Sequence, residues 1–257
     1  MRTNWVREKL RSGQPTLGCF LGLGSPNAAE LLAYAGFDWL VIETEHNGLD
    51  SAEVQQMLMA VNGRESIPLV RIPSAQPVYI QRALDMGALG IVVPMVRTAA
   101  EAEAIVRATR YPPLGARSWG PLRASAYTFD NADYMKRAND QILVALILET
   151  KEAVDNLEAI ASVPGIDALF LGKWDMSLAL GLNPIDLPLA PIDAIQDRML
   201  AVCRSHGVAC GTSAGGPDEL RALRDQGHLF ISYGADYYLL ANAARAGLAA
   251  FRQGGGS

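Results

Sequence analysis

Cysteine is scarce in this chain of 257 residues: Cys19, Cys203 and Cys210 are the only three. An odd number of cysteines without any C-x-x-C spacing argues against a disulfide framework. Free cysteines of this kind usually behave as small apolar side chains. We therefore expect all three to be buried, inert thiols.

Long apolar runs and clustered basic residues are missing as well. No stretch approaches the ~20 apolar residues that cross a bilayer, and residues 1–5 carry no apolar leader, so we expect no membrane association and a cytoplasmic location. The formal net charge is −5 and no basic stripe occurs, which argues against nucleic acid as a partner. Hydrophobic residues make up 50% and charged residues 19%, as is typical of a globular domain.

Short apolar runs alternate with helix-like segments along the chain. Runs that are apolar at every position indicate strands buried on both faces of a parallel sheet. The predicted strands are 17–23, 39–43, 69–72, 90–95, 142–149, 168–172, 208–212 and 229–233. The predicted helices are 27–35, 51–61, 76–86, 99–110, 151–161, 192–206, 218–226 and 238–251.

Eight such pairs within about 250 residues predict an α/β fold, a (β/α)8 or TIM barrel, formed by residues 1–253 as a single domain. A doubly wound sheet is the competing fold. Its dinucleotide turn needs G-x-G-x-x-G, of which Gly22 and Gly24 supply only two glycines. Segment 111–138 is the one long irregular stretch and is interpreted as an active-site or interface loop, or else a surface elaboration. Residues 254–257, Gly-Gly-Gly-Ser, are interpreted as a linker or tag remnant.

Charged side chains stand where several predicted strands end. These residues are Glu43, Glu45, His46, Arg71, Glu149 and Asp175. Because α/β barrels carry their chemistry at the carboxyl ends of the strands, we expect these side chains to share one rim. Acids, a histidine and an arginine at one rim indicate a metal-assisted enzyme that acts on a small anion.

Each candidate has a chemical role in that interpretation and a plain structural alternative. Glu149 and Asp175 could bind a hard cation such as Mg²⁺ or Mn²⁺ together with water, or merely cap the helices that follow. His46 could act as a general base oriented by Asp85, or be an ordinary loop residue. Arg71 could bind a carboxylate or an enolate, or form an ion pair with a neighbouring glutamate.

Taken in order, these residues resemble the HpcH/HpaI aldolase family of metal-dependent class II pyruvate aldolases. The similarity covers residues 5–251. It is clearest at 31–39, 93–96 and 107–113, and at Glu45-His46, Pro68-Leu69-Val70-Arg71, Glu149-Thr150 and Asp175-Met176-Ser177. It implies a TIM-like barrel assembled as a trimer or hexamer, with the C-terminal helix swapped between subunits. It also implies reversible aldol cleavage of 4-hydroxy-2-oxo acids, in which pyruvate or a related 2-oxo acid is joined to an aldehyde.

The resemblance further implies a role for each candidate residue. Glu149 and Asp175 would bind the divalent metal, which is Mg²⁺, Mn²⁺ or Co²⁺. Arg71 would stabilise the enolate oxygen, and His46 would be the base, acting through water with Asp85 as its orienting partner. Backbone N–H groups of residues 172–175 would hold the substrate carboxylate. The substrate-binding residues besides Arg71 are Gly172, Lys173, Trp174, Thr212 and Ser213.

The sequence departs from the family pattern at several places. The usual D-x-E-H reads Glu43-Thr44-Glu45-His46, and Ile147 replaces a glutamine two residues before the metal glutamate. The usual G-P-x-D reads Gly172-Lys173-Trp174-Asp175, Arg117-Ser118 replaces Arg-Gly, and Thr212-Ser213 replaces an apolar pair. The residues that match the metal ligands, the base and the arginine of the family are all present. The changes therefore point to a different substrate preference. They suggest a more polar donor such as hydroxypyruvate.

The residues also allow three other functions. The same enolate chemistry would serve oxaloacetate decarboxylation or another lyase reaction. Lys173 at a strand end could form a Schiff base, which would make the enzyme a metal-independent aldolase. A protein that only binds small acids would leave His46 and Arg71 without a purpose.

Overall fold

The computed structural model describes residues 1–253, so the linker predicted at 254–257 lies outside the described residues. In the described range eight parallel strands pair in sequence order, and the eighth pairs with the first to close a barrel. The strands are β1 (Thr16–Leu21), β2 (Trp39–Glu43), β3 (Ile67–Arg71), β4 (Gly90–Val93), β5 (Leu143–Leu148), β6 (Ala168–Leu171), β7 (Ala209–Ser213) and β8 (Phe230–Ala235). The predicted (β/α)8 barrel is confirmed, and every predicted strand overlaps an observed one.

Helices cover the outside of the barrel. Those of residues 1–253 are α1 (Trp5–Arg11), α2 (Pro26–Ala35), α3 (Ser51–Asn62), α4 (Pro77–Asp85), α5 (Ala99–Thr109), α6 (Asn131–Gln141), α7 (Lys151–Asp155), α8 (Leu157–Ala161), α9 (Lys173–Ala179), a 3-10 helix (Pro184–Asp186), α10 (Ala190–His206), α11 (Pro217–Gln226) and α12 (Asp236–Gln253). Local sequence explains several starts. Asp50 and Glu53 form a capping box on α3, and Ser25 caps α2 directly before Pro26.

The helix prediction is wrong at a few places. It omits α1 and α9, which have seven residues each, too few to show a helical period. Segment 111–138 is not irregular throughout, because α6 begins at Asn131. The predicted helix 151–161 is interrupted at Asn156, whose side-chain amide donates to the carbonyl of Arg97 at 3.0 Å. Tertiary contacts of this kind override local periodicity.

Aromatic rings fill the interior of the barrel. Trp39 on β2 and Phe230 on β8 are fully buried, and their rings stack with centroids 4.0 Å apart. Phe170 on β6 meets Phe230 edge-on. A Cβ atom at Gly18 on β1 would come within 2.0 Å of the Trp39 ring, so only glycine fits there. A filled interior leaves the rim as the place for chemistry.

Helix α1 closes the barrel at the amino ends of its strands. Val6 and Leu10 of this helix pack against the interior residues. Buried Arg7 donates its Nε–H to the carboxylate of Asp167, with oxygens at 2.8 and 2.9 Å. Asp167 also accepts from the backbone N–H of Val144 at 3.0 Å. Breaking a buried ion pair is costly because it leaves a buried charge without a partner. These bonds therefore hold α1 and two strands together.

Helix α12 extends away from the barrel. Its first residue, Asp236, is buried and accepts hydrogen bonds from the backbone N–H groups of Gly22 and Leu23, at 2.9 and 3.2 Å. All residues from 242 to 252 are exposed, including Leu248 at 54% and Phe251 at 84%. Helices in proteins owe most of their stability to a packed apolar face, which residues 242–252 lack within a single chain although Leu239 packs against the core. No helix of residues 1–253 is both long and apolar enough to cross a membrane.

His228, just before β8, is 1% exposed, and neither ring nitrogen has a hydrogen-bond partner among the described residues. Burial lowers the pKa of this ring from 6.5 to about 4, with help from Lys173 and Arg204 and against the effect of Asp197. Between these two values the unfolded chain binds a proton that the folded chain does not. Stability therefore falls as the pH drops from 6.5 to 4.

His228→Leu removes the ionisable group at similar volume. We expect this variant to lose less stability than the original chain as the pH falls from 6.5 to 4. Relative to the variant, the original chain should lose about 3 kcal/mol of unfolding free energy between pH 6.5 and pH 4. Urea unfolding at a series of pH values measures the difference. His206→Leu, at the exposed end of α10, is the control and should keep the original slope. Identical slopes for His228→Leu and the original chain would contradict a buried neutral ring.

Candidate active site

Charged residues from neighbouring strands meet at the carboxyl-end rim. Glu43 is the last residue of β2 and Arg71 the last of β3, and the parallel register places them opposite each other. Glu149 follows β5, and Asp175 lies in the first turn of α9, after β6. The closed barrel thus brings these four side chains to one rim.

Arg71 lies among three glutamates. Its Nη1 is 3.2 Å from Oε2 of Glu43, and its Nη2 forms an ion pair with Glu45 and lies 4.0 Å from Oε2 of Glu149. The side chain is 12% exposed, and its Nε is buried without a hydrogen-bond partner among the described residues. The ion pairs weighed as an alternative do form. The Nε–H nevertheless remains a donor without an acceptor inside this cluster.

Glu149 is held by the backbone of another loop. It is 3% exposed, and its Oε1 accepts a hydrogen bond from the N–H of Met95 at 2.8 Å. Met95 has a left-handed backbone with φ of 57°, which is strained for a residue other than glycine. Burial raises the pKa of Glu149 to about 7, although the Met95 amide and Arg71 act in the opposite direction.

The rim carries an excess of negative charge. Burial raises the pKa of Glu45, and the nearby carboxylates of Glu43 and Asp175 add to that effect against the influence of Arg71. Asp175 also raises the pKa of Glu149. Four carboxyl groups around one guanidinium leave a site that favours an additional cation.

His46 lies at the outer edge of this rim. Its side chain is 61% exposed, and its Nε2 is 3.4 Å from Oε2 of Glu45. The acid predicted to orient His46, Asp85 at the end of α4, instead accepts a hydrogen bond from Arg117 at 2.6 Å. Among the described residues, the carboxylate recorded beside the imidazole is that of Glu45.

The predicted substrate-binding residues besides Arg71 lie after β6, where α9 begins, and at the carboxyl end of β7. Lys173, the first residue of α9, donates to Oε1 of Glu219 at 2.7 Å, and Trp174 beside it is 52% exposed. Thr212 is buried and donates its hydroxyl to the carbonyl of Leu171 at 3.1 Å, whereas Ser213 is half-buried. The Thr212 hydroxyl is thus engaged in the barrel wall.

Sequence reasoning missed residues that act through the backbone or from helices. Met95 contributes its N–H to Glu149, and Asp236 holds the loop after β1. Glu219 binds Lys173 from the first turn of α11. Met95 is the last residue of the predicted strand 90–95, but its neutral side chain gives no signal of a role at the rim. Glu219 and Asp236 stand at helix starts, where an acid usually serves the helix itself.

Comparison with known proteins decides the relationship. The sequence profile described as HpcH/HpaI aldolase/citrate lyase matches residues 16–243. The chain belongs to this family. The hydroxypyruvate/pyruvate aldolase of Roseovarius nubinhibens is 39% identical over 251 residues, which cover 97% of each chain. The 4-hydroxy-2-oxo-heptane-1,7-dioate aldolase of Escherichia coli is 39% identical over 251 residues, covering 96% of this chain and 95% of that protein.

Solved structures agree with the sequence comparison. A HpcH/HpaI aldolase/citrate lyase family protein from Burkholderia cenocepacia J2315 matches with a TM-score of 0.91 at 38% identity, covering 97% of this chain and 100% of that one. The family resemblance of the sequence is confirmed. As an HpcH/HpaI aldolase, the chain is a carbon–carbon lyase.

Two departures from the HpcH/HpaI pattern have visible consequences. The longer acid Glu43 accepts from the backbone N–H groups of Glu45 and His46 at 2.6 and 3.2 Å while it pairs with Arg71, so it shapes the loop that carries the base candidate. Ile147 is 2% exposed and belongs to the interior cluster. An apolar side chain thus occupies the position where the family has an amide.

We expect Arg71→Lys to keep the fold of this aldolase and to lower kcat by ~10²–10³, because lysine keeps the charge but loses the planar fork. Steady-state cleavage kinetics measure the loss, and thermal unfolding verifies the fold. Arg97→Lys, which alters an exposed pair with Glu101, is the matched control and should turn over normally. Near-normal turnover of Arg71→Lys would show that Arg71 only balances the charge of the glutamates and does not stabilise the enolate.

Proposed function

We propose that this lyase catalyses reversible aldol cleavage of 4-hydroxy-2-oxo acids into an aldehyde and pyruvate or hydroxypyruvate. The supporting observation is the rim cluster, in which Arg71 keeps an unpaired Nε–H donor among four carboxyl groups. A 2-oxo acid needs a cationic donor for the oxygen that becomes an enolate. Two relatives at 39% identity are named for a hydroxypyruvate/pyruvate activity and a 4-hydroxy-2-oxo acid activity.

Glu149 and Asp175 would hold a divalent cation, Mg²⁺, Mn²⁺ or Co²⁺. No group of three or more His, Cys, Asp or Glu side chains suited to a metal occurs in the described part of the chain. Mg²⁺ is commonly bound by only one or two carboxylates, with water and substrate as further ligands. Gly172 supports the fit, because a Cβ there would lie 2.6 Å from Oε2 of Glu149 and crowd that oxygen. The cation would supply a Lewis acid for the 2-oxo group.

The remaining roles fall to protein side chains and backbone. Arg71 would donate to the enolate oxygen as negative charge develops there. His46 would take the proton of the 4-hydroxyl group through water, and Glu45 beside it would stabilise the imidazolium. Asp85 stays a predicted partner of this histidine. Backbone N–H groups at 172–175 would hold the substrate carboxylate, with Gly172, Lys173 and Trp174 forming that turn.

The two hydroxyl groups at the end of β7, those of Thr212 and Ser213, have different roles in this proposal. Thr212 already donates to Leu171, so Ser213 is the hydroxyl left to contact a polar donor such as hydroxypyruvate. A Schiff-base mechanism finds little support, because the ammonium of Lys173 is held by Glu219 at 2.7 Å. A lysine nucleophile must be neutral and unengaged.

We further propose a homo-oligomer, a trimer or hexamer in which α12 packs on a neighbouring subunit. The supporting observation is the exposure of α12, with Leu240 at 63%, Leu248 at 54% and Phe251 at 84%. Apolar side chains aligned on one projecting helix are typical of an interaction surface. A cytoplasmic location is proposed because Cys19, Cys203 and Cys210 are all free thiols, as expected in a reducing compartment.

Removal of metal tests the proposed mechanism. Exhaustive chelation should abolish cleavage of a 4-hydroxy-2-oxo acid, and Mg²⁺, Mn²⁺ or Co²⁺ should restore it. Glu149→Gln should bind and respond to these ions poorly, whereas Glu152→Gln, an exposed acid on α7, should behave as the original chain. Coupled detection of released pyruvate or hydroxypyruvate measures the rate. Full activity in chelator would exclude the metal mechanism.

A charge on α12 tests the assembly. We expect Leu248→Glu to lower the molecular mass measured by analytical ultracentrifugation, because a buried carboxylate at an interface is costly. Ile185→Glu, on the 3-10 helix and 78% exposed, is the control and should leave the mass unchanged. A monomeric original chain, or an unchanged mass for Leu248→Glu, would contradict the proposed exchange of α12.

A further inference from the structure

Glu219 joins two loops at the rim of the barrel. Its Oε1 accepts from Nζ of Lys173 and its Oε2 accepts from the backbone N–H of Gly215, both at 2.7 Å. Lys173 follows β6 and Gly215 follows β7, and these strands are neighbours in the barrel. One carboxylate therefore bridges the ends of two adjacent strands.

Only the lysine end of the bridge is sheltered from solvent. The side chain of Lys173 is 15% exposed and that of Glu219 is 43% exposed. Partial burial opposes the charged form of Glu219, but the Gly215 amide and the Lys173 ammonium outweigh it and lower its pKa. Charge-assisted hydrogen bonds of this kind are stronger than neutral ones. The charge of Lys173 is thereby neutralised within the protein.

The loop at one end of the bridge needs such support. Residues 215 and 216 are both glycine, and glycine loses more conformational freedom on ordering than any other residue. The same loop follows Ser213, the hydroxyl proposed to contact the donor. Glu219 is the hydrogen-bond acceptor for the Gly215 N–H. The loop is also tied to β8 at its start, where the Ala214 N–H donates to the carbonyl of Ser232 at 2.8 Å, so loss of Glu219 would free its glycine end.

The turn at the other end carries the candidate metal site. Lys173 lies between Gly172, which packs on the Glu149 carboxylate, and Asp175 in the same helical turn. A shift of this turn would move both. Displacements of about 1 Å near a reacting centre are enough to slow a reaction substantially.

We infer that the Lys173–Glu219 pair is a clamp that holds the loop at 213–216 against the turn carrying Asp175. Lys173 is then a positioning residue that acts through Glu219, not a ligand of the substrate anion. The effect on turnover rests on the proposed function, whereas the clamp itself does not.

A double-mutant cycle separates the clamp from direct substrate binding. The variants are Lys173→Met, Glu219→Gln and the double variant, assayed for cleavage of a 4-hydroxy-2-oxo acid with Mg²⁺ present. For a clamp, kcat falls about fivefold in each single variant and no further in the double variant, while KM stays within about twofold. Asp218→Asn removes an exposed acid from the same helical turn and keeps the original kinetics. A rise of KM in Lys173→Met alone, with Glu219→Gln unchanged or improved, would overturn the clamp in favour of direct substrate contact.

Hydrogen exchange tests the clamp without any substrate. The Gly215 amide should exchange about fivefold faster in both single variants and unchanged in Asp218→Asn. Unchanged protection in Lys173→Met would overturn the inference whatever the kinetics. Faster exchange in both variants of a chain that cleaves no 4-hydroxy-2-oxo acid would uphold the clamp and reject the proposed function.

Discussion

The active-site rim depends on the guanidinium of Arg71. Glu43, Glu45 and Glu149 converge on it from two strand ends and one loop, and without a cation among them their charges would repel at short range. One positive charge does not neutralise these three glutamates, and Asp175 nearby adds a fourth carboxyl group. The same interaction that holds the cluster together therefore leaves it able to accept a second cation. The Nε–H of Arg71 is buried in the same cluster without a hydrogen-bond partner among the described residues.

Residues that stabilise the barrel and residues with a candidate chemical role lie at opposite ends of its axis. At the amino ends of the strands, α1 and the Arg7–Asp167 pair close the base of the barrel, and Asp167 also binds the backbone of β5. Stacked rings of Trp39 and Phe230 fill the centre. At the carboxyl ends the backbone is strained at Met95 and acids are crowded. Strain and crowding can persist at the rim because the rest of the barrel is tightly packed.

Several residues that depart from the family pattern form hydrogen bonds or ion pairs with other residues of this chain. Glu43 uses its extra length to accept two backbone N–H groups, and Lys173 is neutralised by Glu219. Thr212 turns its hydroxyl to the barrel wall. The reacting centre itself keeps its arginine and acids. The departures therefore act on how the surrounding loops are held, and through them on the space that a substrate meets.

The barrel, the position of the strand ends and the charged residues there all follow from the pattern of the sequence. Continuous apolar runs predict buried parallel strands, and a closed parallel barrel must gather their carboxyl ends at one rim. Which of those charges form pairs depends on the folded barrel. Lys173 and Glu219 are 46 residues apart, and Asp85 and Arg117 are 32 apart. Such pairs depend on strand register, helix placement and side-chain direction, none of which a local pattern encodes. The left-handed backbone of Met95 likewise accompanies its hydrogen bond to Glu149, a contact that forms only when the whole chain has folded.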